Sequence, residues 1–206
     1  MAWAMADQPI RVVIVDDHPL FIDALTLALR PLASGAAPSS ASTLAQAMAI
    51  LRTVPADLIL LDLMLPDAGG VESVARVREV AAHARVVVVS GKDDAVTVNL
   101  ARALGADGFI SKASPLTEIQ QRLRAVLAGE AVFPEAQPAP AVADAISALT
   151  QAQARVLAAA ATGKLNKQIA YEMNLAEPTI KAHMSAIFKK LGVNNRTQAI
   201  LALGEP

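Results

Sequence analysis

Ile10-Arg-Val-Val-Ile-Val15 runs directly into Asp16-Asp17, and the reading of this stretch decides the fold. After Arg11 the run is aliphatic without a polar residue every second place, the pattern of a strand covered on both faces. Asp57-Leu-Ile-Leu-Leu61 and Arg85-Val-Val-Val-Val89 repeat it. After the first run, Pro19 stands where a helix can begin, and Phe21, Leu25, Ala28, Leu29 and Leu32 recur at helical spacing. A fifth short strand is expected around Gly108-Phe-Ile110, followed by a helix from Pro115 to Leu127. The second strand is the weakest, somewhere in Ala36–Ala41, because Pro38, Ser39 and Ser40 disfavour it. Strands alternating with helices predict an α/β domain built on a five-stranded, doubly wound parallel sheet.

The rest of the 206-residue chain leaves room for a second, smaller domain. Hydrophobic residues make up 54% and the mean hydropathy is +0.41, but about a fifth of the chain is alanine. Charges or prolines interrupt every apolar run before the roughly 18–20 residues of a membrane span. The absence of cysteine excludes disulfides, thiolate zinc sites and cysteine nucleophiles. At 3% aromatics there is little material for stacking single-stranded bases. Residues 1–8 read as a disordered leader without the basic region or apolar core of a signal peptide, and Met5 offers an alternative start. A cytoplasmic location is expected.

The net charge of -1 is a cancellation. Residues 1–133 hold 11 Lys+Arg against 14 Asp+Glu, residues 134–146 none against two, and residues 147–206 seven against three. An acidic front and a basic tail suggest a polyanion as partner of the tail. Between them, Phe133–Ala145 carries three closely spaced prolines and no hydrophobic period, so residues 131–146 read as a semi-extended linker joining a domain at 9–130 to one at 147–206.

Open parallel sheets place their functional crevice outside the carboxyl ends of the strands. There the first strand ends in Asp16-Asp17, the third in Asp62 and the fourth in Ser90-Gly91, while Lys112 follows the fifth. Asp17 alone would be read as a helix cap and Lys112 alone as a surface lysine; together they form a constellation. Three converging carboxylates call for a cation, and an all-oxygen donor set suits Mg²⁺. A divalent ion beside Asp62 would then screen an incoming phosphoryl group, Lys112 would supply a second positive charge to its oxygens, and Asp62 becomes a candidate carboxylate nucleophile. No separate substrate pocket or general acid is evident, so no enzyme activity is expected.

From Leu149 the pattern is helical throughout. Thr150 and Gln153 form a capping-box start for a helix carrying Val156, Leu157 and Ala160 and ending near Gly163. Asn166 can cap a second helix, Lys167 to Met173. The turn Asn174–Glu177 leads to a third helix with Pro178 at its first position, a helix-turn-helix. In the third helix Ile180, Met184, Ile187 and Leu191 form a buried stripe; Ala182, Ser185 and Lys189 lie opposite, with Lys181 at the edge. Lys181 and Ser185 suit base edges, Ala182 a thymine methyl, and Lys189 and Lys190 phosphate. Asn194 or Asn195 caps a fourth helix whose Ala199, Ile200 and Leu203 are expected to bury against a twin.

The pieces Val15-Asp16-Asp17-His18, Asp62-Leu-Met-Leu-Pro66-Asp-Ala-Gly-Gly70, Val89-Ser90-Gly91 and Gly105-Ala-Asp-Gly-Phe-Ile-Ser-Lys112 make the front of the chain resemble a flavodoxin-like response-regulator receiver domain. Leu149-Thr150, Asn166-Lys167-Gln168-Ile169-Ala170, Thr179-Ile180-Lys181-Ala182-His183 and Lys190-Leu191-Gly192 through Ala199 resemble the four-helix LuxR-type DNA-binding domain. The whole resembles a NarL/FixJ-type response regulator. The resemblance implies that Asp62 is the phosphoacceptor, that Asp16, Asp17 and Asp62 hold Mg²⁺ with the Met64 backbone carbonyl, and that Ser90 and Phe109 are the switch pair. It extends the DNA-facing set to Asn166, Lys167, Thr179, His183 and Arg196. The implied partners are a cognate histidine kinase, double-stranded DNA and a second copy of the chain on activation, with RNA polymerase as a further contact. Gln153 departs from the pattern: an acidic residue is usual there, so its salt bridge should be absent or replaced by a hydrogen bond.

Overall fold

The computed structural model describes residues 10–32, 38–134 and 141–203. The expected leader, the alternative start at Met5 and the middle of the expected linker lie outside them. The chain divides into two compact units, one of residues 1–93 with 105–134 and one of residues 94–104 with 135–206.

In the first unit, β1 (Val12–Val15), β2 (Ser39–Ala41), β3 (Leu58–Leu61), β4 (Arg85–Ser90) and β5 (Gly108–Ser111) form one parallel sheet in the order β2-β1-β3-β4-β5. Every residue of β1 and β3 is buried, which explains their uninterrupted aliphatic character. β2 forms despite Ser39 and Ser40 because it is a three-residue edge strand with both serines exposed, and Pro38 precedes it, where no ladder hydrogen bond is lost. Helix α1 (Pro19–Leu29) begins with the expected proline and buries Leu25, Ala28 and Leu29 against the sheet, where Ile119, Leu123 and Val126 of α5 (Leu116–Leu127) join the same core. Helix α2 (Leu44–Thr53) starts at Thr43, whose side chain accepts from Gln46 N, and α3 (Glu72–Val80) follows β3. At the amino ends of the strands charges are matched. Arg78 donates to the carbonyls of Ala84 and Gly105, both at 2.6 Å, and pairs with Asp107.

The expected linker is structured at both margins. Val132 bridges to Gly108, and Phe109 N donates to its carbonyl at 2.7 Å, extending the sheet's hydrogen bonding past residue 130. A Cβ on Gly108 would stand 2.9 Å from that carbonyl oxygen, so only glycine admits the approach. At the other margin Ala141–Ser147 is helix α6, with Ile146 fully buried. Alanine's helix propensity and one well-placed isoleucine outweigh the lack of a longer apolar period.

The second unit contains α4 (Ala95–Ala103), α6, α7 (Gln151–Ala161), α8 (Asn166–Glu172), α9 (Glu177–Leu191) and α10 (Arg196–Leu201). The capping box at Thr150 and Gln153 is present as expected. Helix α8 begins one residue earlier than expected. Leu165 is its N-cap and Asn166 its first residue, because Gln168 reaches back to accept from Leu165 N at 2.7 Å and closes that end. The turn between α8 and α9 is fixed by Asn174 at φ 53°, with Leu175 N donating to Ala170 O and Asn174 N to Tyr171 O. This 6→1 and 5→2 pair is a Schellman closure, and asparagine tolerates the left-handed conformation it needs. Pro178 is the second residue of α9, still within the turn whose N–H groups have no helical partner.

Candidate functional site

The parallel register carries the ends of β1, β3 and β4 to one edge of the sheet. Val15 pairs with Leu61 and Leu61 with Val88, so Asp16, Asp62 and Ser90 follow at the carboxyl ends, while Ser111, just before Lys112, pairs with Ser90. Lys112 N donates to Ser90 O at 2.9 Å, anchoring the loop that delivers the lysine. Its Nζ lies 2.7 Å from Asp16 Oδ2 and 2.7 Å from Asp62 Oδ2. Both carboxylates are almost completely buried. Asp62 Oδ1 accepts from Met64 N at 3.1 Å, so each oxygen of Asp62 has one partner. Asp16 Oδ2 has the charge contact with Lys112 but no directed hydrogen bond, which leaves a buried carboxylate oxygen open to another ligand.

Burial works against the Lys112 ammonium, but its close contacts with the Asp16 and Asp62 carboxylates outweigh it and hold the amine above its ordinary range. It is therefore a fixed positive charge at neutral pH. His18 donates its backbone N–H to Asp16 Oδ1 at 2.9 Å and sets Nδ1 3.1 Å from the same oxygen and 2.9 Å from Asp17 Oδ1. Asp16, Asp17, His18 and Asp62 each offer a ligand atom, all within 4.8 Å of one another. Lys112 brings one positive charge to three carboxylates, and the surplus of negative charge at hard oxygen donors fits a divalent cation of the Mg²⁺ class.

Ser90 is fully buried and its Oγ accepts from Lys92 N at 3.2 Å. Phe109 is also fully buried, with its ring inside the sheet unit rather than at the surface. Met64 is 61% exposed beside the pocket.

Two residues at this site escaped the sequence reading. Phe21, read there as part of an apolar stripe, has its ring centroid 4.9 Å from Lys112 Nζ. The signal was its position: three residues after His18 on a helix that starts at the strand end, it belongs to the turn bordering the crevice. Asp67 accepts from Leu44 N at 2.8 Å and Ala45 N at 2.9 Å, and these bonds hold its carboxyl below the ordinary range against the opposing cost of burial. It ties the loop after Asp62 to the start of α2. No local signal marks it, since the partners are more than twenty positions away.

In the helical unit the buried stripe of α9 is as expected: Ile180, Met184, Ile187 and Leu191. Lys181, Ala182, Ser185 and Lys189 are exposed, Thr179 and His183 half-buried, and Lys167 of α8 is exposed. Lys181 pairs with Glu177 at 3.0 Å on the surface, a contact weak enough to exchange for phosphate. Ser185 Oγ donates to Lys181 O at 3.0 Å.

Four assignments change. Lys190 Nζ donates to Ala148 O and to Gln153 Oε1, each at 2.8 Å, so it pins the end of α9 to the start of α7. This is the hydrogen bond expected in place of a salt bridge, and it removes Lys190 from the phosphate-facing set. Arg196 donates to Asn166 Oδ1 at 3.2 Å, to Ala160 O at 2.9 Å and to Lys164 O, and burial lowers its basicity. Arg196 and Asn166 thus latch α10 to the ends of α7 and α8. Ala199 is fully buried inside its own unit and has no surface to offer a twin, whereas Ile200 and Leu203 are half-exposed.

Residues 12–124 match the family described as the response regulator receiver domain, and residues 147–203 that of bacterial regulatory proteins of the luxR family. The chain is 35% identical over 210 residues to a glycerol metabolism activator of Pseudomonas putida, covering 95% of each. It is 29% identical over 203 residues to the nitrate/nitrite response regulator protein NarL of Escherichia coli strain K12, covering 93% of this chain and 94% of that one. Among solved structures it resembles RcsB of Salmonella enterica serovar Typhimurium bound to promoter rprA in the presence of a phosphomimetic. The TM-score there is 0.63 at 20% identity, over 96% of this chain and 100% of that one. No helix among the described residues is long and apolar enough to cross a membrane.

Proposed function

Because the chain belongs to the NarL/FixJ-type response regulators, in which a receiver domain precedes a LuxR-type DNA-binding domain that controls transcription, we propose that its DNA binding is switched by phosphorylation of Asp62. The observation that carries this reading is the Lys112 ammonium held between buried Asp16 and Asp62 at 2.7 Å each, at the carboxyl ends of the strands. An Asp62 oxygen attacks the phosphorus of a phosphohistidine on a cognate histidine kinase. The O–P bond forms, the donor's P–N bond breaks, and the imidazole leaves with the bonding electrons and takes a proton from water. Lys112 transfers one of its hydrogen bonds from a carboxylate to a phosphoryl oxygen, stabilising the charge that gathers there. Mg²⁺ held by Asp16, Asp17, Asp62 and the Met64 carbonyl supplies charge neutralisation when bound.

Ser90 lies one strand over from Asp62, and its hydroxyl is the donor that turns toward the new phosphoryl group. Phe109 on β5 is its switch partner. In the helical unit α9 enters the major groove. Lys181, Ala182 and Ser185 face bases; Lys167, Thr179, His183 and Lys189 lie near the phosphate backbone. Two copies occupy paired half-sites, with Ile200 and Leu203 in the contact between them, and RNA polymerase is a further partner. The site of action is the cytoplasm.

Incubating the chain with acetyl phosphate and Mg²⁺ tests the reading. One phosphoryl group should be found by intact mass and mapped to Asp62, and Asp62→Asn should carry none. Equal labelling of Asp62→Asn would overturn it.

A further inference from the structure

The first turn of α1 forms one wall of the acidic pocket, and its contacts go beyond the carboxylates. His18 meets Asp16 and Asp17, and one turn on, Phe21 meets Lys112 with Nζ 4.9 Å from the ring centroid. The separation falls within the roughly 6 Å at which the negative face of an aromatic ring attracts an ammonium. Phe21 is half-buried and packs against the sheet core, which supports the ring. Lys112 reaches the pocket on a flexible four-carbon stem. Among the described residues its tip meets the two carboxylates and this ring. When a phosphoryl group arrives, the carboxylate contacts must be given up or shared, while the ring keeps attracting the ammonium without competing for its hydrogen bonds.

We propose that Phe21 is a positioning residue for phosphoryl transfer, its ring face holding the Lys112 ammonium at the place where a phosphoryl oxygen arrives. This rests on the reading of Asp62 as phosphoacceptor. Phe21 acts through Lys112 and does not touch the reacting atoms.

The test uses the full chain with acetyl phosphate and Mg²⁺. F21L keeps an apolar side chain on the core but removes the ring, and labelling of Asp62 should slow about fivefold to tenfold. F21Y and F21W restore a ring face and should recover most of the rate. Replacing Phe21 by its mono-, di- and trifluorinated analogues keeps shape while draining the ring's negative face, and the rate should fall stepwise. A purely structural role would not respond to fluorination. Wild-type rate in F21L, or rates indifferent to fluorination, would overturn the proposal. A second readout does not depend on phosphorylation: the Lys112 ε-methylene protons should show an upfield ring-current shift in the wild type that disappears in F21L. Absence of that shift would overturn the proposal even if Asp62 is labelled. Presence of the shift in a chain that is never labelled at Asp62 would support the contact and overturn the phosphoacceptor reading instead.

Discussion

Lys112 in the receiver unit and Lys190 in the helical unit each hold two oxygens, at 2.7 Å and 2.8 Å respectively. Their partners separate them. Lys112 sits between two buried carboxylates with a third nearby, and the excess negative charge around it is stabilised only when something further arrives. Lys190 satisfies a main-chain carbonyl and a neutral glutamine, gathers no carboxylates around it, and ties two helices together. A lysine among carboxylates at strand ends is chemistry held ready, whereas a lysine between neutral acceptors is scaffold. The opposite end of the sheet makes the same point, since Arg78 there meets Asp107 and two carbonyls and is fully occupied.

The largest expected effect breaks the comparison at Lys112. Lys112→Ala should slow phosphoryl incorporation from acetyl phosphate about a hundredfold or more, the scale of removing one preorganised charge stabiliser. Labelling within tenfold of wild type would show that the lysine is only structural. Lys190→Met should leave phosphorylation unchanged and destabilise the helical unit by about 1–2 kcal/mol in urea unfolding, the scale of two lost hydrogen bonds. Lys189→Ala sharpens the contrast from its neighbour. Stability should stay within about 0.5 kcal/mol, while the slope of log affinity against log salt should fall by about 0.9, one phosphate contact. If instead Lys190→Met lowers the slope without loss of stability, the two lysines exchange roles. The smallest effect concerns Asp57, whose carboxyl is held below the ordinary range by hydrogen bonds from Arg11. A depressed folded pKa stabilises above the unfolded value of about 3.9 and is lost as pH falls through the folded value. Asp57→Asn should therefore lower stability slightly near neutrality, where the charged carboxylate is paired with Arg11, and the difference from wild type should shrink as the pH falls below about 4, as read by urea unfolding across that range.

The sheet and the acidic pocket are legible in the sequence because strands buried on both faces show continuous aliphatic runs, and the residue after each run must lie at the crevice. Asp16, Asp62 and Ser90 follow from that rule alone, and Lys112 from its place just beyond the short fifth strand. The helical unit is legible in its stripes, since Ile180, Met184, Ile187 and Leu191 share a face by arithmetic. The fate of its cations is not. Lys190 and Arg196 have exposed-residue chemistry, and only folding brings Ala148, Gln153, Ala160 and Asn166, all 30 or more positions away, within their reach. Phe21 illustrates the same limit in the receiver unit, because helical period marks it as core and is silent on what its outer edge meets. The second strand and the end of the linker were obscured for a different reason. Three residues of β2 and seven of α6 are too short for periodicity to register, and neighbouring structure decides them.

The most direct test of the central claim is the affinity of the full chain for its DNA at fixed salt, measured before and after acetyl phosphate treatment, in wild type and Asp62→Asn. A conformational coupling of about 1–3 kcal/mol corresponds to a change of roughly 5-fold to 150-fold. Phosphorylated wild type should bind more tightly by a factor in that range, with Asp62→Asn unmoved by the treatment. Equal affinity of labelled and unlabelled wild type, or the same shift in Asp62→Asn, would contradict the account.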